Sequence, residues 1–153
     1  MGTNPNLSVG DAAPDFTDDT APFTLSEQRG RRVVLYFYPK DNTPGCTTEA
    51  CDFRDNKEDF DAQEAIIVGV SPDSRASHEK FTAKHDLPFL LVSDPDKAIA
   101  EAYGVWREKK NYGRTYMGIV RSTFIIDPEG RIEAIYDNVR AKGHVARLLK
   151  ELP

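Results

Sequence analysis

The sequence predicts a single α/β domain: a mixed central sheet flanked by helices, with a β-hairpin extension at its N-terminal end. Three observations carry this expectation. Short apolar runs rich in β-branched and aromatic residues, 33–38 and 65–70 foremost, read as strands buried on both faces. Stretches with helical patterning separate them, and strand–helix–strand alternation builds parallel sheets. Two later apolar runs, 122–126 and 132–136, are divided by the turn sequence Asp127-Pro128-Glu129-Gly130, which adds an antiparallel hairpin. With 153 residues, 39% of them hydrophobic, the chain fits one domain that buries about two-thirds of its unfolded surface. That domain is placed at 7–153, after a polar and flexible stretch 1–6.

Residues 16–25 hold short strand candidates interrupted by Pro22, read as a hairpin at the sheet edge. Residues 33–38 form the first central strand, and Pro39 ends it because proline has no N–H to give to a ladder. Thr43-Pro44-Gly45 reads as a helix start, with Thr43 at the N-cap and Pro44 in the first helical position, and the helix extends over 47–60. A second buried strand at 65–70, a helix at 74–85 and a third strand at 89–92 follow. Asp94-Pro95 opens a short helix that Gly104 closes. Residues 106–114 mix bases with aromatics and read as a solvated loop, with a partner-docking segment as the alternative. The late hairpin and a helix over 143–151 complete the chain. This order is similar to the thioredoxin-like fold with an N-terminal extension.

The only two cysteines lie in one run after the first central strand, Pro39-Lys40-Asp41-Asn42-Thr43-Pro44-Gly45-Cys46-Thr47-Thr48-Glu49-Ala50-Cys51. Cys46 falls in the first helical turn, where unpaired N–H groups and the positive end of the helix dipole favour an anion. The thiolate is that anion, and it is the nucleophile of cysteine redox chemistry. A hydroxyl three residues before it and a second thiol five residues after it suit a sulfur that is activated, oxidised and resolved. The chain therefore reads as a redox enzyme.

The pattern P-x-x-x-T-x-x-C, formed by Pro39, Thr43 and Cys46, resembles the active-site signature of the peroxiredoxins. The fuller run from Tyr36 to Thr47, with Cys51, resembles the bacterioferritin comigratory protein or peroxiredoxin Q subfamily in its atypical two-cysteine form. Gly10-Asp11-Ala12-Ala13-Pro14-Asp15-Phe16, Leu91-Val92-Ser93-Asp94, Tyr103-Gly104-Val105-Trp106 and Arg121-Ser122-Thr123-Phe124-Ile125-Ile126-Asp127 with Gly130 extend the resemblance over 7–151. It implies a thiol-dependent peroxidase that reduces hydrogen peroxide and organic hydroperoxides without a cofactor.

Residue by residue, the resemblance implies that Cys46 is peroxidatic and attacks the terminal peroxide oxygen in line. Thr43, the N–H groups near Gly45 and Cys46, and Arg121 would be donors to the leaving oxygen, as in an oxyanion hole. Pro39 would limit water at the sulfur, and Glu49 would orient the arginine. Cys51 would resolve the Cys46 sulfenic acid as an intramolecular disulfide, which thioredoxin, or a glutaredoxin, would reduce by exchange. On a regular helix the two cysteines lie about 7.5 Å apart in rise and 140° apart in azimuth. Their Cα atoms are then roughly 8 to 9 Å apart, beyond the about 7 Å a disulfide spans, so closure requires the first helical turns to unwind. Plainer readings coexist: Thr43 as a cap alone, Cys51 as a small buried apolar residue, Arg121 as a surface charge, Glu49 as a solvated acid favoured by the helix dipole.

The net charge of −5 argues against nucleic acid or an anionic membrane as partner. No run approaches the roughly 18 apolar residues of a membrane span, and the first residues lack the apolar core of a signal peptide, which points to a cytoplasmic protein. The three histidines, His78, His85 and His144, are scattered without zinc spacing, so no metal is expected, and His78 and His85 read as exposed and neutral. A dithiol exchanger is disfavoured because Thr43 stands where C-x-x-C would need its first cysteine. A non-enzymatic redox sensor stays open as the alternative. With the resolving thiol on the same chain, a monomer is the expected state.

Overall fold

The structure, a computed structural model, describes residues 4–152. Its centre is a five-stranded sheet of β3 (Arg32–Phe37), β4 (Ala65–Ser71), β5 (Leu90–Ser93), β8 (Ser122–Ile126) and β9 (Ile132–Tyr136), in the spatial order β5-β4-β3-β8-β9. β3 and β4 pair in parallel, as do β4 and β5, whereas β8 is antiparallel to both β3 and β9. The sheet is mixed, as the alternation and the late hairpin predict.

β3 reads as an unbroken apolar run because both of its faces are covered. Val33, Leu35 and Phe37 point into one core with Val68, Val70, Tyr103 and Phe124. Val34 and Tyr36 point into the other, beneath α1 (Pro44–Asp55), α3 (Arg75–His85) and α5 (His144–Glu151), with Cys46, Phe53, Phe81 and Leu148. Tyr36 stacks on Phe53 at 4.6 Å between ring centroids. Gly69 of β4 makes room for this: a Cβ there would lie 2.8 Å from both the Tyr36 ring and Leu91.

Several elements differ from expectation. The helix begins at Pro44 with Thr43 at its N-cap, as Thr43-Pro44-Gly45 predicts, but the stretch expected to run unbroken to Phe60 divides at Asn56 into α1 and α2 (Lys57–Ala62). Asn56 leaves helical geometry at φ −110° and ψ 13°, and its Nδ2 donates to the Asp52 carbonyl at 2.8 Å beside its own backbone N–H. The N-terminal hairpin is present as β1 (Thr17–Asp18) and β2 (Phe23–Thr24), but it forms a ribbon of its own beside the central sheet. α4 (Ala98–Ala102) starts three residues beyond Pro95. Asp94 still caps it from a distance, accepting from the N–H groups of Ile99 and Ala100.

Residues 106–114 are not a loop. They make β6 (Trp106–Asn111), which pairs with β7 (Arg114–Ile119) through a tight turn with Tyr112 and Gly113 at φ 51° and 77°. Of the stretch expected to be flexible, residues 1–3 lie outside the described residues. Asn4 is buried and donates to the Tyr103 carbonyl, and Asn6 donates to that of Glu101. No helix among the described residues is long and apolar enough to cross a membrane.

Candidate active site

Sheet topology brings the distant parts of the motif together. Because β8 runs antiparallel to β3 with Ser122 opposite Phe37, the residue before β8, Arg121, lies beside the chain as it leaves β3. α1 starts there too. Cys46, the third residue of α1, is 2% exposed, and Arg121 Nη2 donates to its sulfur at 3.4 Å. The other arm of the guanidinium, Nη1, donates to Glu49 Oε1 at 2.6 Å from one turn further along the helix. Gly45 admits this approach, since a Cβ there would lie 3.1 Å from Nη2.

The solvated reading of Glu49 does not hold, because its carboxylate is fully buried and Oε2 has no hydrogen-bond partner among the described residues. Burial pushes its pKa up to about 7, although Arg121 pulls the other way. Burial would lower that of Arg121, but Glu49 and Cys46 hold it above its ordinary value.

Thr43 occupies the N-cap position with extended backbone, yet it makes no side-chain cap bond. Its hydroxyl donates instead to the Lys40 carbonyl at 2.8 Å, which the left-handed turn at Asn42, φ 61°, folds back beneath it. Two consequences follow. The N–H groups of Gly45 and Cys46 are not covered by a cap, and Thr43 Oγ1, its proton committed, presents lone pairs. In this arrangement the Thr43 hydroxyl, expected to donate to a leaving oxygen, donates to Lys40. Pro39 is half-buried at the start of this loop.

A buried network that the sequence reading missed anchors the same loop. Asp41 accepts from Tyr38 Oη at 2.5 Å and from Ser77 Oγ at 2.8 Å, and lies 2.6 Å from His78 Nδ1. Its own N–H donates to Asp73. Burial alone would raise the Asp41 pKa, but the bonds from His78 and Tyr38 outweigh it and hold it low. His78, read as exposed, is fully buried. Its Nε2 faces the Val92 carbonyl, which can only accept, so the other nitrogen shares one proton with Asp41. Asp41 is only two residues from Pro39 in the motif, but its partner lies 37 residues away. No local pattern links the two.

Asp41, Asp73 and His78 also place potential ligand atoms within 4.8 Å of one another. Each is already engaged inside the protein, both His78 nitrogens included, and these bonds brace the loop.

Cys51 lies on the flank of α1 that faces α3, half-buried, with Sγ 3.8 Å from His85 Nδ1. Both thiols are free, and they lie on one continuous helix facing different neighbours. Lys109 of β6 approaches the site from the hairpin. Burial and Arg121 lower its pKa, against an opposing pull from Cys46.

Comparison with known proteins agrees with this geometry. Residues 9–135 match the AhpC/TSA family. The chain is 53% identical over 149 residues to peroxiredoxin Bcp of Bacillus subtilis, covering 95% of each protein. It is 41% identical over 151 residues to peroxiredoxin Bcp of Escherichia coli, covering 95% of this chain and 97% of that protein. Among solved structures, the Xanthomonas campestris bacterioferritin comigratory protein, whose alkyl peroxide reduction activity has been studied, superposes with a TM-score of 0.85 at 39% identity, covering 94% and 96% of the two chains. A cysteine-to-serine variant of Xylella fastidiosa peroxiredoxin Q does so with 0.87 at 38%, covering 95% of each. With the family matched across most of its length and the fold shared at this identity, the chain belongs to the AhpC/TSA family as a thioredoxin-like peroxiredoxin of the Bcp and peroxiredoxin Q kind, and is a thiol peroxidase.

Proposed function

We propose that Cys46 is the peroxidatic thiol and Cys51 its resolving partner, acting on hydrogen peroxide and organic hydroperoxides. The observation that supports this most is the Arg121 guanidinium, which spans the buried Cys46 sulfur and the buried Glu49 carboxylate. The Cys46 thiolate attacks the terminal oxygen, an S–O bond forms as O–O breaks, and the departing alkoxide or hydroxide takes up a proton. Arg121 and the N–H groups of Gly45 and Cys46 meet the growing charge. Thr43 Oγ1 accepts from the peroxide O–H and so aligns it, Pro39 shields the sulfur, and Glu49 fixes the arginine.

The sulfenic acid then condenses with Cys51 to an intramolecular disulfide and water. A dithiol of the thioredoxin type, or a glutaredoxin, reduces it by exchange. Because both thiols lie on one chain, the working unit is a monomer, and two free thiols suit a cytosolic setting. The test is a pair of variants. Cys46→Ser abolishes peroxide consumption, whereas Cys51→Ser forms one equivalent of sulfenic acid and loses thioredoxin-supported turnover. Unimpaired peroxide reduction in Cys46→Ser would sink the assignment.

A further inference from the structure

His85, the last residue of α3, is a titratable group that the steps above leave unused, and its surroundings are unusual. Nδ1 lies 3.8 Å from Cys51 Sγ, within hydrogen-bond range for sulfur. Nε2 is buried and finds no hydrogen-bond partner among the described residues. The Phe81 ring meets the imidazole edge-on at 5.2 Å and limits its rotation. The second half of α1 is fastened around this pair, with Arg54 Nη1 donating to the His85 carbonyl at 2.8 Å and Phe53 fully buried. If the first turns of α1 unwind to let the thiols meet, this fastening would hold Cys51 against His85 and leave Cys46 to travel.

We propose that His85 is the general base of the resolving step, a role that rests on the reading of Cys51 as the resolving thiol. The neutral ring, protonated on Nε2, takes the Cys51 S–H proton on Nδ1. The Cys51 thiolate attacks the sulfur of the Cys46 sulfenic acid, S–S forms, S–O breaks, and the departing hydroxide leaves as water by recovering a proton from the imidazolium. No external oxidant or reductant enters this step. Charged groups near the pair include Arg54, which donates to the His85 carbonyl and interacts with Cys51, Asp55 and Asp86, and on α1 Asp52, adjacent to Cys51 in the chain. None is a residue type that titrates near neutrality.

The test is a single turnover with one equivalent of hydrogen peroxide. The sulfenic acid is trapped with dimedone at successive times, the disulfide is followed by mass, and the Cys46 oxidation phase serves as internal reference. His85→Gln is expected to prolong the sulfenic acid about 10²-fold at pH 7, in line with loss of a general base. The deficit narrows toward pH 9, as solvent removes the thiol proton, and imidazole partly restores the rate in His85→Ala. Wild-type resolution in His85→Gln would overturn the inference. So would a deficit equal at every pH and insensitive to imidazole, since that marks a packing role. Cys51→Ser in parallel separates the two readings: if it turns over normally with thioredoxin, the assignment of Cys51 falls and this inference with it. If it stalls while His85→Gln resolves normally, only the base assignment falls.

Discussion

At the scale of single residues, the site concentrates charge that burial makes expensive, and substitutions there should act on rate more than on stability. Arg121→Ala removes the guanidinium that donates to the sulfur, so Cys46 oxidation should slow by roughly 10²-fold or more in stopped-flow measurements. Thr43→Val should do likewise because it deletes the acceptor, whereas Thr43→Ser keeps the hydroxyl and should be mild. Glu49 yields a pH prediction. Its folded pKa of about 7 lies above its ordinary 4.5, so the folded protein holds the extra proton between those values. Stability from this group is therefore present in full below pH 4.5 and lost as pH rises through 7, by up to about 3 kcal/mol. His144 works in the opposite sense. Burial lowers its pKa from 6.5 to about 4, so its contribution is present above 6.5 and lost as pH falls toward 4. Thermal melts of Glu49→Gln and wild type from pH 5 to 8 should show the variant gaining relative stability as pH rises; a constant difference would refute the burial argument.

At the scale of elements, α1 is the part expected to move. Hydrogen exchange on reduced and oxidised protein should show protection across the first turns of Pro44–Asp55 lost on disulfide formation, and retained where Phe53 enters the core. Equal protection in both forms, with the disulfide confirmed by mass, would show that the helix stays wound. What the sequence made legible at this scale follows a physical division. β3, β4, β8 and β9 are buried on one or both faces, and their apolar runs announce them. β6 and β7 escaped because they are largely exposed and lack a period of two: Trp106–Asn111 holds four consecutive charged residues and Arg114–Ile119 a single one, on a ribbon outside the central sheet. Their turn is formed by Tyr112 and Gly113, and Tyr112 is a poor advertisement for a left-handed position. Cys46 and Thr43 stand out through the strand-to-helix junction and Arg121 only through the family resemblance, whereas the hydroxyl direction of Thr43 and the Asp41–His78 pair depend on tertiary contacts that no local pattern encodes.

At the scale of the whole molecule, one sheet separates two cores, and the active helix rests on one of them. Tyr36 lies between the sheet and α1, against Gly69 on one side and Phe53 on the other. Gly69→Ala should therefore displace the Tyr36 ring and destabilise the fold by about 1 to 3 kcal/mol in urea unfolding. An unchanged midpoint would mean that the ring yields without cost.

The placement of both sulfurs on α1, facing different flanks, joins helix formation to electron transfer. If the disulfide form lacks the first turns of the helix, winding them accompanies reduction, and the free energy of that winding adds to the driving force for accepting two electrons. For a two-electron couple about 1.4 kcal/mol corresponds to about 30 mV. A substitution on the exposed side of α1 that alters only helical propensity thus shifts the standard potential of the enzyme without touching either sulfur. The stability of one short helix then helps to determine which dithiol donors lie electrochemically below the enzyme and are able to recycle it.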